Sequence, residues 1–257
     1  MKVINSLLLG GIVCLSLCSC AHKSGHQKNI RNSTDQQMVS SNSSNDAVAA
    51  TTSRNLEVPV VNKRGEKSKL DGSKIFAKYN SAVFMIYTSD GSNMYQGSGF
   101  FINQDGLAVS NYHVFQGTSV GEEGIKMVGS NEIFKVVEVI HRSEDEDFIL
   151  FRVNATNTNY IPLAQYKPVI GEKVYAIGSP RGLENTFSSG EVSQWRDKQL
   201  MQTSTQIDHG SSGGALINEF GEVVGITSGT FADGSQANLN YAWSIDVIKP
   251  YVTCSER

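Results

Sequence analysis

The octet His209-Gly210-Ser211-Ser212-Gly213-Gly214-Ala215-Leu216 joins a polar segment to an apolar one. Glycine tolerates backbone angles other residues avoid and lets neighbouring groups come close. Two glycines after Ser212 and one shortly before it describe a sharp turn with an exposed hydroxyl. Such a turn can also aim free backbone N–H groups at one point. A nucleophile beside such donors is the equipment of acyl transfer. Read alone, the octet is equally a flexible Gly/Ser loop, a common kind of connection.

A serine is a weak nucleophile until a base takes its proton. Histidine suits that task, with an ordinary pKa of about 6.5. The chain has five histidines. His22 and His26 lie in a polar N-terminal stretch, His141 in a charged turn and His209 in the octet itself. His113 follows the apolar run Leu107-Ala108-Val109 and stands at a strand edge. A base also needs a carboxylate to fix its tautomer. Asp147 ends the run Ser143-Glu144-Asp145-Glu146-Asp147 and opens Phe148-Ile149-Leu150-Phe151, where the chain enters the core. A lone histidine at a strand end is more often structural, and an acidic run is more often a solvated turn. Spacing does not show that His113, Asp147 and Ser212 meet.

The elements that must position them read as short strands. Ala82–Tyr87, Tyr95–Ile102 and Leu107–Ser110 come first, the last two joined by the turn Asn103-Gln104-Asp105-Gly106. An Asp-Gly pair between apolar runs is a strong hairpin signal. Ile125–Val128, Ile133–Ile140 and Phe148–Val153 follow. Then come Gly171–Pro180, read as strand then turn, and Thr186–Ser193, Leu200–Gln206, Ala215–Ile217, Val223–Thr227 and Leu239–Ser244. Ser73–Tyr79 has helical spacing, and a closing helix from Asp246 is limited by Pro250. Many short strands with turns between them, and no βαβ alternation, predict an all-β barrel or sandwich.

The first 20 residues read as a lipoprotein signal peptide: Lys2, an apolar run from Leu7 to Leu17, then Leu17-Cys18-Ser19-Cys20. The run is short for a membrane span. Lipidation is expected at Cys20, with ordinary cleavage and secretion of a soluble protein as the alternative. A lipid chain stabilises membrane association by roughly 0.8 kcal/mol per buried methylene. Residues 21–72 read as a flexible polar tether, with Val58–Val61 a short apolar patch inside it. Three of the four cysteines belong to the signal, leaving Cys254 alone and no internal disulfide framework. A net charge of -3 gives no basic excess that would suggest nucleic acid. No Cys/His cluster has zinc spacing, so neither metal nor cofactor is expected.

From about Ile75 to Tyr251 the chain resembles the trypsin-like serine proteases of the chymotrypsin clan, and within them the bacterial HtrA/Deg branch. Gly97-Ser98-Gly99-Phe100 with Ser110-Asn111-Tyr112-His113-Val114 is similar to the family's histidine motif. Asp147-Phe148-Ile149-Leu150 is similar to its aspartate motif, and the stretch Gly171–Leu183 to a further one. Gly210-Ser211-Ser212-Gly213-Gly214 is similar to Gly-Asn/Asp-Ser-Gly-Gly, with Ser211 the departure. The four stand in the family's order. The resemblance implies two six-stranded antiparallel β-barrels, here residues 73–155 and 156–257. His113, Asp147 and Ser212 would then be catalytic, with the N–H groups of Gly210 and Ser212 as oxyanion hole. Gln206 and Ile207 would line the pocket, and Thr227-Ser228-Gly229 would pair with substrate backbone. Gln206 is uncharged where tryptic enzymes hold an acid, and Ile207 is apolar, so a small or medium aliphatic residue is expected before the cleaved bond. Similarity stops at the second barrel, so no PDZ domain is expected. The implied function is a lipid-anchored envelope serine endopeptidase acting on proteins or peptides in quality control or regulated proteolysis, with homo-oligomers left open. A catalytically silent or latent protease-like binding lipoprotein is the alternative.

Overall fold

Strands such as Phe148–Val153 and Lys173–Gly178 are apolar and buried on both faces, and the fold uses both. The computed structural model describes residues 56–60, 68–119, 121–230 and 239–256. The signal segment, Cys20 and residues 21–55 of the expected tether lie outside the described residues. The first elements are β1 (Glu57–Val60), α1 (Gly72–Tyr79), β2 (Val83–Ser89), β3 (Met94–Phe101), β4 (Leu107–Ser110) and α2 (Tyr112–Phe115). Next are β5 (Gly124–Met127), β6 (Ile133–Phe134), β7 (Val136–Ser143) and β8 (Phe148–Val153). The remainder are β9 (Lys173–Gly178), β10 (Thr186–Trp195), β11 (Leu200–Thr203), β12 (Ala215–Asn218), β13 (Val223–Thr230), β14 (Asn240–Ser244) and β15 (Thr253–Glu256).

The fold class is all-β, as expected. Strands β10-β11-β14-β13-β12-β9 close into an antiparallel barrel. Strands β6-β5-β2-β3-β4-β8-β7 form a wrapped sheet whose hydrogen bonds stop at β6 and β7. Those two edges are separated in the chain only by Lys135, whose carbonyl accepts from Asn154 N at 2.9 Å. The expected single strand Ile133–Ile140 is therefore bent at Lys135, and the bent segment is the sixth side of the ring. Its β7 half carries two register shifts against β8, which supply the extra curvature.

Side chains alternate between faces with period two. On β8, Ile149 and Phe151 fill the first barrel beside Phe84, Phe101 and Ala108, while Phe148 and Leu150 face the second. On β9, Val174 and Ala176 fill the second barrel, while Tyr175 and Ile177 face the first. The largest core cluster is thus the contact between barrels. Fully burying a side chain such as Phe or Ile contributes roughly 1.5–3 kcal/mol. This contact therefore holds the two barrels in one register.

The ends of the described fold pack on that contact. β1 pairs parallel with β15, and Val58 and Val60 are buried. Asp71 caps α1 by accepting from Lys74 N at 2.9 Å. The Ser73 hydroxyl and that N–H hold the Asp71 carboxyl at about 2. The closing helix is a 3-10 turn, Ile245–Tyr251. His141 is not in a solvated turn: it lies on β7 and stacks on Tyr251, with ring centroids 3.6 Å apart.

Candidate active site

His113 sits on α2, a single turn placed directly after β4. The turn is held by Val114 and Phe115, buried in the first barrel, and by Thr88 Oγ1 donating to Val114 O at 2.9 Å. Gly97 makes room for it: a Cβ there would lie 2.5 Å from Val114 Cγ1. With its neighbours anchored, the His113 side chain is left outward and 41% exposed.

Asp147 closes the acidic turn with φ at 44°, a left-handed angle that a non-glycine residue adopts at a cost of about 1–3 kcal/mol. Asn111 Nδ2 fixes that backbone by donating to Asp147 O at 2.8 Å. The carboxylate then accepts from His113 N at 3.0 Å and meets His113 Nδ1 at 3.0 and 2.9 Å. Ser228 Oγ donates to it as well, at 2.7 Å. An ionised carboxylate only accepts, so Nδ1 is the protonated ring nitrogen by assignment and Nε2 carries the lone pair.

Ser212 arrives from the other barrel. Gly213, with φ at 86°, lets its loop touch the first barrel: a Cβ there would lie 2.2 Å from both Ser110 Oγ and Ser98 O. Ser98 is the tie between the two. Its N–H donates to Ser212 O at 2.8 Å and its hydroxyl to Gly210 O at 2.7 Å. The same hydroxyl accepts from Ser179 N at 2.8 Å, and Ser98 O accepts from Ser110 Oγ at 2.7 Å. Gln96, on the same strand, donates to Ser179 O. Ser212 Oγ lies 3.6 Å from the place a Cβ on Gly229 would take. Among the described residues no hydrogen bond joins Ser212 Oγ to His113. Such bonds commonly tighten only in a substrate complex.

The loop has an alternating pattern of peptide groups. In a trans peptide, C=O and N–H point in opposite directions. His209 O accepts from Arg181 N at 2.8 Å, and Ser211 O accepts from Gly214 N and Thr227 Oγ1 at 2.9 and 2.7 Å. Their peptide partners, the N–H groups of Gly210 and Ser212, therefore point the other way, and neither has a partner among the described residues. The intervening N–H groups are occupied: Ser211 N donates to Asp208 O and Gly213 N to Thr227 O. Two free donors flank the Ser212 hydroxyl.

Of the residues expected to bind substrate, Gln206, Ile207 and Thr227 line a cavity of about 500 Å³ beneath this loop. Ser228 and Gly229 do not line it. Ser228 donates to Asp147 instead, a role its strand position alone did not suggest. Arg181 Nε pairs with Asp208 Oδ2 at 2.8 Å at the cavity mouth. Burial acts to raise the Asp208 carboxyl, but the His209 N–H and the Arg181 guanidinium outweigh it and hold it below the ordinary range. Sequence reading also missed Ser98, although the Gly-Ser-Gly around it was visible.

A family model of the trypsin-like peptidase domain matches residues 97–226, half of the chain. The chain belongs to that family. It is 34% identical over 160 residues to a probable periplasmic serine endoprotease, DegP-like, of Halomonas elongata, covering 59% of this chain and 33% of that one. To the serine endoprotease DegS of Haemophilus influenzae it is 30% identical over 166 residues, covering 59% and 47%. A crystal structure of the serine endoprotease from Yersinia pestis superposes with a TM-score of 0.63 at 25% identity, covering 72% of this chain and 66% of that one. These relatives place this member of the trypsin-like family with the HtrA branch. The chain spans between a third and a half of the length of these two sequence relatives.

Proposed function

We propose that the protein is a serine endopeptidase acting through His113, Asp147 and Ser212. Ser212 Oγ attacks the peptide carbonyl while His113 Nε2 takes its proton and then returns it to the leaving amine. Asp147 holds the imidazole tautomer and steadies the imidazolium, with Ser228 orienting the carboxylate. The Gly210 and Ser212 N–H groups receive the developing oxyanion. No step draws on a metal or cofactor. The observation that carries this reading is the pair of unpartnered N–H groups beside Ser212, facing away from carbonyls already held. A fluorophosphonate probe should label the wild type and fail to label Ser212→Ala. Labelling that survives in Ser212→Ala would overturn the assignment.

The missing Ser212–His113 hydrogen bond favours a second reading, a latent enzyme whose Ser212 side chain must be turned toward the base. An unlabelled wild type beside a labelled control protease would select it.

The relatives' periplasmic description and the Leu17-Cys18-Ser19-Cys20 box together support a place in the bacterial envelope, lipid-anchored at Cys20. Its substrates would be envelope proteins, in quality control or regulated proteolysis. Cys20→Ala should move the protein from the membrane fraction to the soluble one. Retention in the membrane would overturn the anchor.

A further inference from the structure

The cavity under the nucleophile loop is lined by a residue whose side chain has a polar atom with no hydrogen-bond partner among the described residues. Asn240, on β14, is 3% exposed and lines the cavity with Gln206, Ile207 and Thr227. Its Nδ2 donates to Thr205 O at 2.6 Å. A carbonyl only accepts, so this bond fixes the amide orientation and makes the other atom Oδ1. That Oδ1 has no partner among the described residues. Buried acceptors of this kind are uncommon, and leaving one unpaired is unfavourable. Nearby hydroxyls do not relieve it: Thr227 Oγ1 donates to Ser211 O, and the Thr203 and Thr205 hydroxyls bond one another. Gln206, exposed on the same cavity, has a carboxamide with no hydrogen bond among the described residues. It offers both a donor and an acceptor. The charged groups on the cavity wall, Arg181 and Asp208, answer each other. The site therefore presents an unmet acceptor, a free carboxamide and no net charge.

We propose that this cavity receives the side chain on the acyl side of the cleaved bond, and that Asn240 and Gln206 select a carboxamide there, glutamine or asparagine. The ligand NH₂ meets Asn240 Oδ1 and its carbonyl meets the Gln206 amide. The proposal rests on the Ser212 reading above. It replaces the aliphatic preference drawn from Ile207, because an aliphatic side chain would leave Asn240 Oδ1 unpaired. Sites built to hydrogen-bond a substrate group discriminate strongly against analogues that lack it. A lysine or arginine would bring a charge that the paired Asp208 does not neutralise.

The test uses the full chain and quenched peptides differing only at that residue: glutamine, asparagine, leucine, valine, lysine and glutamate. Fluorophosphonate labelling of the same preparation runs beside it. The glutamine or asparagine peptide should exceed the leucine peptide in kcat/KM by roughly 10- to 100-fold. Asn240→Leu should erase the preference. Gln206→Met, at an exposed position, should weaken it without endangering the fold. A labelled protein that cuts leucine or valine peptides as fast as glutamine overturns the carboxamide and leaves Ser212 standing. So does a preference unchanged in both variants. A protein neither labelled nor active overturns the carboxamide preference together with the ready Ser212 site, and selects the latent form.

Discussion

The two barrels share a topology and differ in what fills them. The first is packed with rings: Phe84 lies 4.6 Å from Phe101 and 6.4 Å from Phe151, and Phe115 lies 5.1 Å from Phe151. The second holds Val174, Ala176, Val192, Met201, Leu216, Val224 and Ala242, then polar Thr203, Thr205 and Asn240 toward the site. The first carries His113 and Asp147, a pair that must not move. The second carries the loop and the cavity proposed to meet a substrate. Dense aromatic packing serves the former, and room with unfilled hydrogen-bonding capacity serves the latter.

The sharpest break of that comparison is inside the first barrel. Phe151→Ala should cost about 3–5 kcal/mol in denaturant unfolding. Val192→Ala in the second barrel should cost less, and equal losses would remove the distinction drawn here. Next is the tie between barrels. Ser98→Ala leaves Gly210 O and Ser179 N without their partner and loosens the Gly210–Ser211 peptide, which lies between the two peptides that carry the free N–H groups. It should lower kcat by about 10²-fold with KM little changed, on the scale of losing an oxyanion donor. A rise in KM alone would show that Ser98 acts on binding instead. The smallest effect belongs to Arg181 and Asp208, whose side chains are 72% and 43% exposed. Exposed pairs contribute little, about 0–1 kcal/mol. Asp208 is depressed when folded, so its contribution is present above the ordinary carboxylate value of about 3.9 and fades as pH falls through its own lower one. Arg181→Ala should flatten that part of the stability–pH curve. A change of several kcal/mol would mean that the pair is not solvent-screened.

Local patterns carried much of this structure. The hairpin at Asp105-Gly106 and the doubly apolar run Phe148–Phe151 announce strands buried on both faces. His113, Asp147 and Ser212 were legible because each marks the edge of such a strand. The turn α2 was not, since Leu107–Phe115 is a largely apolar run interrupted by Ser110-Asn111 and His113 and lacks a helix's length or period. The bend at Lys135 sits in an otherwise continuous strand pattern. The positive φ of Asp147 leaves no mark, because aspartate does not announce it as glycine would. Least visible were the bonds across barrels. Ser98 reaches Gly210 over 112 residues of sequence, and no spacing rule spans that distance. Asn240 looked like one more strand residue until the fold put it on the wall of a cavity.

One consequence of Ser98 concerns heat. The Gly210–Ser211 and Ser212–Gly213 peptides, neighbours of the two free N–H groups, belong to one barrel, and Ser98 of the other holds their carbonyls. Catalytic geometry tolerates displacement of only about 1 Å. A small slip at the contact between barrels breaks that hold while each sheet keeps its own ladder. Heating should therefore abolish fluorophosphonate labelling at Ser212 before it melts the strands: the label is lost while a spectroscopic probe of the strands still finds the molecule whole.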